Sequence, residues 1–263
     1  MEDNMNKFFE KIRSGKTAVG THAQLGSQPI MEMLGIAGFD AVWIDTEHTA
    51  IDKQDLLSSI IALNGYNTAA IVRIPWNDPV LAKPVLEMGV DGIVFPYVRS
   101  AEAVGQAMES CIYPPYGNRG FGPIRANKYG IMGNQEYFDS YIDNTFRIAQ
   151  IEHVDAVRCI DEILKVKYLS GIVLGPNDLS GSLGVLGQLD HPEVQKCFDI
   201  VAEAAKKAGI PFGVSTGYNA GSGGGNLKQW IERGANYIFA GSDVSYVMSG
   251  AAATYQEVSD LVR

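Results

Sequence analysis

Strand-like and helix-like segments alternate along this chain eight times, from one end to the other. The strand-like runs are TAVGTHAQ (17–24), FDAVWIDTE (39–47), TAAIVRIP (68–75), DGIVFPYV (91–98), FRIAQIEH (146–153), SGIVLGPN (170–177), IPFGVST (210–216) and NYIFAGSD (236–243). Each is rich in Val and Ile and bounded by Gly, Pro, Asn or Asp, the signature of a strand. Their near-continuous apolar character suits strands covered on both faces, as in a parallel sheet. Repeated strand–helix units imply right-handed crossovers. Eight units in 263 residues favour a closed (β/α)₈ barrel over an open sheet, on a length of about 250 residues for that fold.

The segments between the strands carry helix punctuation. In HPEVQKCFDIVAEAAKKAG, Pro192 stands near the start, where a missing N–H costs nothing, and Gly209 stands at the end. "MGVDGIVFP", "KAGIPFGV" and "RGANYIFA" repeat one pattern: a helix end, a Gly, then a short turn into a strand. A further helix, 6–14, precedes the first strand. No linker divides the chain, so the expectation is an α/β fold in one domain, 1–263, with an N-terminal helix. One long irregular stretch, 113–140, interrupts the pattern; a loop of that length is usually functional or an interaction segment. A second, the glycine-rich run 217–226, could serve as a lid or a phosphate cradle.

Composition narrows the function. A net charge of −9 gives no support for nucleic-acid binding. An anionic substrate would need a local cation, either a metal or an arginine. Cys111, Cys159 and Cys197 show no CxxC spacing and read as packing residues in a reducing cytosol. The charged N-terminus carries no apolar signal core, and no run reaches membrane-spanning length. The expectation is a cytoplasmic protein with small-molecule partners.

Active sites of such barrels lie at the C-terminal ends of the strands. The first strand offers His22 there. The second offers Asp45, Glu47 and His48, the third Arg73, the fifth Gln150, Glu152 and His153, and the sixth Asn177 and Asp178; the fourth, ending in Pro96 and Tyr97, offers none. Gln150 and Glu152 are two apart and share a face. Glu152 and Asp178 on adjacent strand ends could chelate one hard cation; the alternative is a surface ion pair for Glu152 and a helix cap for Asp178. Arg73 ends an apolar strand, so it is either functional, holding a carboxylate or an enolate oxygen, or part of an ion pair that closes the barrel top. His48 is a candidate acid/base group, or a structural histidine. Asp45 and His48 converge only if the strand has ended by Thr46. No lysine falls at a strand end, which argues against a Schiff-base mechanism and for a metal.

"WIDTEH", "VRIPWNDP", "YPPYGNRGFG", "QIEH" and "GPNDLS", in this order and on these strands, resemble the HpcH/HpaI aldolase family, class II metal-dependent pyruvate aldolases. The resemblance covers nearly the whole chain. It implies that Glu152 and Asp178 bind Mg²⁺, Mn²⁺ or Co²⁺, and that Arg73 contacts the pyruvate oxygen. Gln150 and the backbone of Asn177 and Asp178 would hold the 2-oxo acid. His48, supported by Asp45, would be the acid/base group. Glu87 matches a carboxylate that reaches the neighbouring subunit's site, and the 113–140 segment with Arg119 would be an inter-subunit element of a homo-oligomer, a hexamer built as a trimer of dimers. Four departures concern substrate identity: His22 where Trp is frequent, His153 where Thr is frequent, Glu87 in place of the shorter Asp, and the glycine-rich run.

The resulting expectation is reversible aldol chemistry between a 2-oxo acid and an aldehyde. Two rivals use the same residues: decarboxylation of oxaloacetate through the same enolate, and a non-catalytic barrel that binds a 2-oxo acid.

Overall fold

The structure, a computed structural model, describes residues 6–217 and 225–263, so most of the glycine-rich run 217–226 lies outside the described residues. Eight parallel strands close into a barrel in sequence order: β1 (Ala18–Ala23), β2 (Ala41–Asp45), β3 (Ala69–Arg73), β4 (Gly92–Phe95), β5 (Phe146–Ile151), β6 (Gly171–Leu174), β7 (Phe212–Thr216) and β8 (Tyr237–Ser242). All eight lie within the runs read from the sequence. The helices are α1 (Lys7–Arg13), α2 (Gln28–Ile36), α3 (Lys53–Leu63), α4 (Pro79–Glu87), α5 (Ala101–Ser110), α6 (Asn134–Ser140), α7 (Val154–Arg158), α8 (Ile160–Ile163), α9 (Pro176–Ser182), α10 (Pro192–Ala208), α11 (Gly225–Glu232) and α12 (Asp243–Leu261). As its sequence signals require, α10 begins at Pro192 and ends on Gly209, whose φ of 68° only glycine adopts cheaply.

Two separate cores follow from the two faces of each strand. Outward side chains pack under the helices in one large cluster. Inward side chains, among them Trp43, Ile71, Val94, Ile148, Val173, Tyr237 and Phe239, fill the barrel itself. The large rings fit because glycine stands opposite them. A Cβ on Gly213 would come within 2.0 Å of Tyr237, and one on Gly20 within 2.4 Å of Phe239. Helix α1 closes the barrel's lower end, inserting Phe8 against Phe146 and Tyr237 at ring separations of 5.5 and 5.6 Å. At that same end Lys11 pairs with Asp40 at 2.6 Å, and Asn6 donates to Asp91 at 3.0 Å.

Two regions depart from a simple barrel. The 113–140 segment is less irregular than its sequence suggests: its last seven residues form α6, and a short 3₁₀ turn spans Lys128–Gly130. Arg125 of this segment donates to the backbone carbonyls of Met88 and Gly89 and ties the segment to the end of α4. Helix α12 packs on β1 and β8 at its start, yet every residue from 247 to 258 is exposed. Val247, Met248, Tyr255 and Val258 form a stripe at helical spacing on it.

Candidate active site

The inward parity of the strands brings the chemistry to one layer. Counting upward by twos from the buried rings, β1 ends in His22, β2 in Asp45, β3 in Arg73, β5 in Gln150 and then Glu152, and β7 in Ser215. The parallel register sets Asp45 directly beside Arg73. Arg73 Nε donates to Asp45 Oδ1 at 3.0 Å and Nη2 donates to Oδ2 at 2.6 Å, a bidentate fork. Its Nη1 lies 2.9 Å from Glu47 Oε2, near enough for an ion pair but not aligned for a hydrogen bond, so that buried oxygen keeps no hydrogen-bond donor. Burial works to raise the Asp45 carboxyl, but the hydrogen bond and charge of Arg73 outweigh it and hold its pKa below the usual value. Burial likewise works against the charge on Arg73, and Asp45 and Glu47 more than offset it.

Across the mouth, Gln150 Nε2 donates to Glu152 Oε2 at 2.5 Å, and the backbone N–H of Tyr97 donates to Glu152 Oε1 at 2.5 Å. Burial pushes the Glu152 carboxyl up to about 7. The Tyr97 N–H and the charge of Arg73 oppose that rise, while the charges of Glu47 and Asp178 add to it. Glu152 is therefore a desolvated carboxylate facing two others, with Arg73 acting on it only at a distance and no cation paired with it directly among the described residues. Gln150 Oε1 is buried with no partner. Gly175 leaves the space beside this pair open: a Cβ there would lie 2.9 Å from both Gln150 Nε2 and Glu152 Oε2. Asn177 and Asp178 are exposed in the first turn of α9, whose N-cap is Gly175, so Asp178 is not itself the cap. Among the described residues, no three His, Cys, Asp or Glu side chains converge as a ready-made metal cluster.

Toward β1, β7 and β8 the mouth deepens into a cleft of about 280 Å³, whose walls include His22, Asp45, Arg73, Asn177, Ser215, Thr216 and Ser242. His22 Nδ1 lies 2.8 Å from the Gly241 carbonyl and Nε2 lies 2.8 Å from Ser215 Oγ. Burial lowers the pKa of this histidine, which keeps it neutral.

The sequence-selected residues thus fall into four places. Asp45, Arg73, Gln150, Glu152, Asn177 and Asp178 share the barrel mouth. His48 sits at its rim with its side chain 64% exposed, its Nε2 3.9 Å from Glu47 Oε2. Asp45 touches His48 only through the backbone N–H, at 3.5 Å; its carboxylate serves Arg73 and does not support the imidazole as the resemblance implies. The strand does end at Asp45, yet the following turn carries the ring outward. Glu87 and Arg119 meet elsewhere. Arg119 Nη2 donates to Glu87 Oε1 at 3.0 Å and to the Tyr137 hydroxyl at 3.3 Å, and its guanidinium lies 4.6 Å from the centre of the Tyr113 ring. Glu87 Oε2 is buried and has no partner. His153 caps α7, its Nδ1 accepting from the Asp155 N–H at 3.1 Å.

Two mouth residues escape sequence reasoning. Tyr97 contributes a backbone group, aimed at Glu152 by a left-handed φ of 54° that a bulky residue rarely adopts. No side-chain pattern signals it. Ser215 was legible in principle, since inward parity along β7 leads from Gly213 to it.

The chain resembles known proteins in both sequence and fold. The sequence model of the HpcH/HpaI aldolase/citrate lyase family matches residues 19–249. The chain is 33% identical over 245 residues to a 5-keto-4-deoxy-D-glucarate aldolase of Klebsiella pneumoniae, covering 93% of both chains. An HpcH/HpaI aldolase structure from Desulfitobacterium hafniense superposes with a TM-score of 0.87 at 31% identity, covering 95% of each chain. A family structure from Burkholderia cenocepacia gives 0.88 at 28% identity, over 96% of this chain and 99% of that one. The class is that of carbon–carbon lyases built on a closed barrel. Within it, this chain belongs to the HpcH/HpaI aldolase/citrate lyase family.

Proposed function

We propose that the protein is a divalent-metal-dependent class II aldolase joining pyruvate, or a similar 2-oxo acid, reversibly to an aldehyde. The observation that carries this reading is Glu152: a buried carboxylate pushed up to about 7, facing Glu47 and Asp178, with the unpartnered Gln150 Oε1 and the open cradle at Gly175 beside it. Such a group is suited to receive a cation. Glu152 and Asp178 would hold Mg²⁺, Mn²⁺ or Co²⁺, and Gln150 with the first turn of α9 at Asn177 and Asp178 would hold the 2-oxo acid. The ion, when bound, supplies Lewis acidity to the oxygens of the 2-oxo acid.

The rest of the chemistry belongs to the protein. Arg73, clamped by Asp45 and Glu47, presents fixed positive charge to the keto oxygen as electron density builds there. Because its fork is already held, no reorganisation is needed when that charge develops. His48, the rim imidazole nearest Glu47, moves the proton of the substrate hydroxyl as the carbon–carbon bond forms or breaks.

The same reading has the chain as one domain, 1–263, in a cytoplasmic homo-oligomer, a hexamer built as a trimer of dimers. Support comes from the exposed stripe on α12 and from Val19, an outward residue of β1 left 48% exposed. Glu87, with its buried free oxygen, and Arg119 are the residues we assign to a site shared between subunits. Among the described residues no helix is long and apolar enough to cross a membrane.

The deciding experiment is exhaustive chelation followed by metal add-back in a pyruvate–aldehyde assay. Loss of activity and its return with a divalent ion are expected. Full activity after chelation, or a borohydride-trapped lysine adduct, overturns the reading.

A further inference from the structure

The cleft beside Arg73 contains a hydroxyl whose hydrogen-bonding polarity is fixed. His22 Nδ1 faces the Gly241 carbonyl at 2.8 Å, and a carbonyl can only accept. In the neutral ring the proton therefore resides on Nδ1, and Nε2 is bare. Ser215 Oγ, 2.8 Å from Nε2, must then donate its single proton to the histidine. Toward the cleft Ser215 offers only lone pairs. Of the other hydroxyls lining the cleft, Ser245 Oγ donates to the Ser242 carbonyl at 2.7 Å and Thr216 Oγ1 to the Gly217 carbonyl at 3.5 Å, whereas Ser242 Oγ accepts from the Ser245 N–H at 3.2 Å and keeps its own proton; Ser215 is the one whose proton is committed to a histidine.

An acceptor without a proton of its own discriminates. It receives a substrate O–H, it is left unpaired by a methyl group, and it repels a carboxylate oxygen. Arg73 walls this cleft and also belongs to the layer that holds Gln150 and Glu152. A 2-oxo acid whose keto oxygen faces Arg73 has its C3 bonded to the keto carbon, so the C3 substituent is the part of the nucleophile within reach of the cleft. We infer that Ser215, set as a pure acceptor by His22, selects a nucleophile carrying a hydroxyl on C3: a 3-hydroxy-2-oxo acid, with hydroxypyruvate as its simplest member. This inference rests on the aldolase reading. Ser215 is the group that touches the substrate, and His22 is a positioning residue that acts through it.

The test compares hydroxypyruvate with pyruvate, using glycolaldehyde as the common acceptor and Mg²⁺, Mn²⁺ or Co²⁺. Deuterium exchange at C3 of each acid is followed by proton NMR without aldehyde, and melting temperatures verify that each variant folds. The wild-type protein should prefer hydroxypyruvate in kcat/KM. Ser215→Ala should lower the hydroxypyruvate-to-pyruvate ratio about tenfold or more, because the substrate hydroxyl then enters a polar cleft without its acceptor. His22→Phe, which frees the serine proton to donate, should lower the ratio as well, and Ser215→Thr, which keeps the hydroxyl, should retain it. Exchange of both acids with a wild-type preference for pyruvate, or with a ratio unmoved in Ser215→Ala and His22→Phe, overturns this inference alone. Exchange of neither acid with any metal overturns the aldolase reading and this inference with it.

Discussion

Replacing Arg73 by lysine keeps the charge and removes the fork, which separates two roles the arginine could have. The guanidinium makes two parallel bonds to Asp45, at 3.0 and 2.6 Å, and a third contact at 2.9 Å to Glu47. An ammonium is a point charge on a flexible stem and cannot span both Asp45 oxygens while facing Glu47. At least one charge-assisted bond is lost, worth about 1.5–3 kcal/mol, with Asp45 buried and only singly paired. If Arg73 must be held in place to meet charge on the keto oxygen, that loss appears in the transition state. Arg73→Lys should then lower kcat/KM roughly 10- to 150-fold, the value of 1.5–3 kcal/mol, with kcat falling and not KM alone. Arg73→Ala should be only modestly worse. Steady-state rates of aldol cleavage and condensation, measured beside thermal melts, give the answer. A folded lysine variant within about threefold of wild type in kcat would refute the argument, since charge without geometry would then suffice.

Glu152→Gln removes one of three facing carboxylates; in metal-free protein its melting temperature should not fall, whereas the rise in melting temperature on adding Mn²⁺ should disappear, as differential scanning fluorimetry can check. Asp91, at the closed end of the barrel, is pushed up to about 6 by burial, against the opposing hydrogen bonds from Ala70 N–H and Asn6. Its folded-state pKa lies above the unfolded value, so its contribution is greatest below about pH 4 and declines as the pH rises toward 6. Asp91→Asn should therefore gain on wild type across that window, by at most about 3 kcal/mol, and hold the gain at higher pH; urea unfolding at pH 4.5 and 7 with an equal difference at both would contradict it. Mixing inactive His48→Ala with inactive Glu87→Ala subunits should restore some activity if the two residues meet across an interface. No recovery despite demonstrated subunit exchange would remove Glu87 from the site.

Most of the barrel was legible because its signals are local and repeated. Each strand is a largely apolar run of four to six residues, and most of the turns leading into the strands carry their own Gly or Asp; the turn into β6 is the exception, with Tyr168 at a φ of 68°. Parity did the rest: Gln150 and Glu152 lie two apart, so burying one face of β5 brings both to the mouth. The 113–140 segment was less readable because α6 is seven residues long and follows a turn whose Tyr129 has a φ of 57°. Short helices of that kind owe their stability to tertiary packing more than to propensity. Tyr137 of α6 is buried beside Tyr113, 24 residues earlier, a contact that no local pattern announces.

The pairing of Asp45 marks the limit of reading a site from residue types. In sequence, Asp45 is three residues from His48 and 28 from Arg73, and a carboxylate near a histidine suggests an oriented acid/base pair. The structure decides by register: β2 and β3 run parallel with Asp45 beside Arg73, and both side chains point inward. The bidentate fork satisfies two acceptors at once in a buried layer, where a carboxylate left unpaired would be costly. His48, one residue past the parity that would turn it inward, is carried to the rim with Glu47 as its nearest carboxylate. Ser215 obeys the same rule from the other side of the barrel. Its residue type is uninformative, but inward parity and a single neighbouring carbonyl fix where its proton goes. Strand parity and cross-strand register, more than residue identity, therefore determine which groups at this mouth can act on a common substrate.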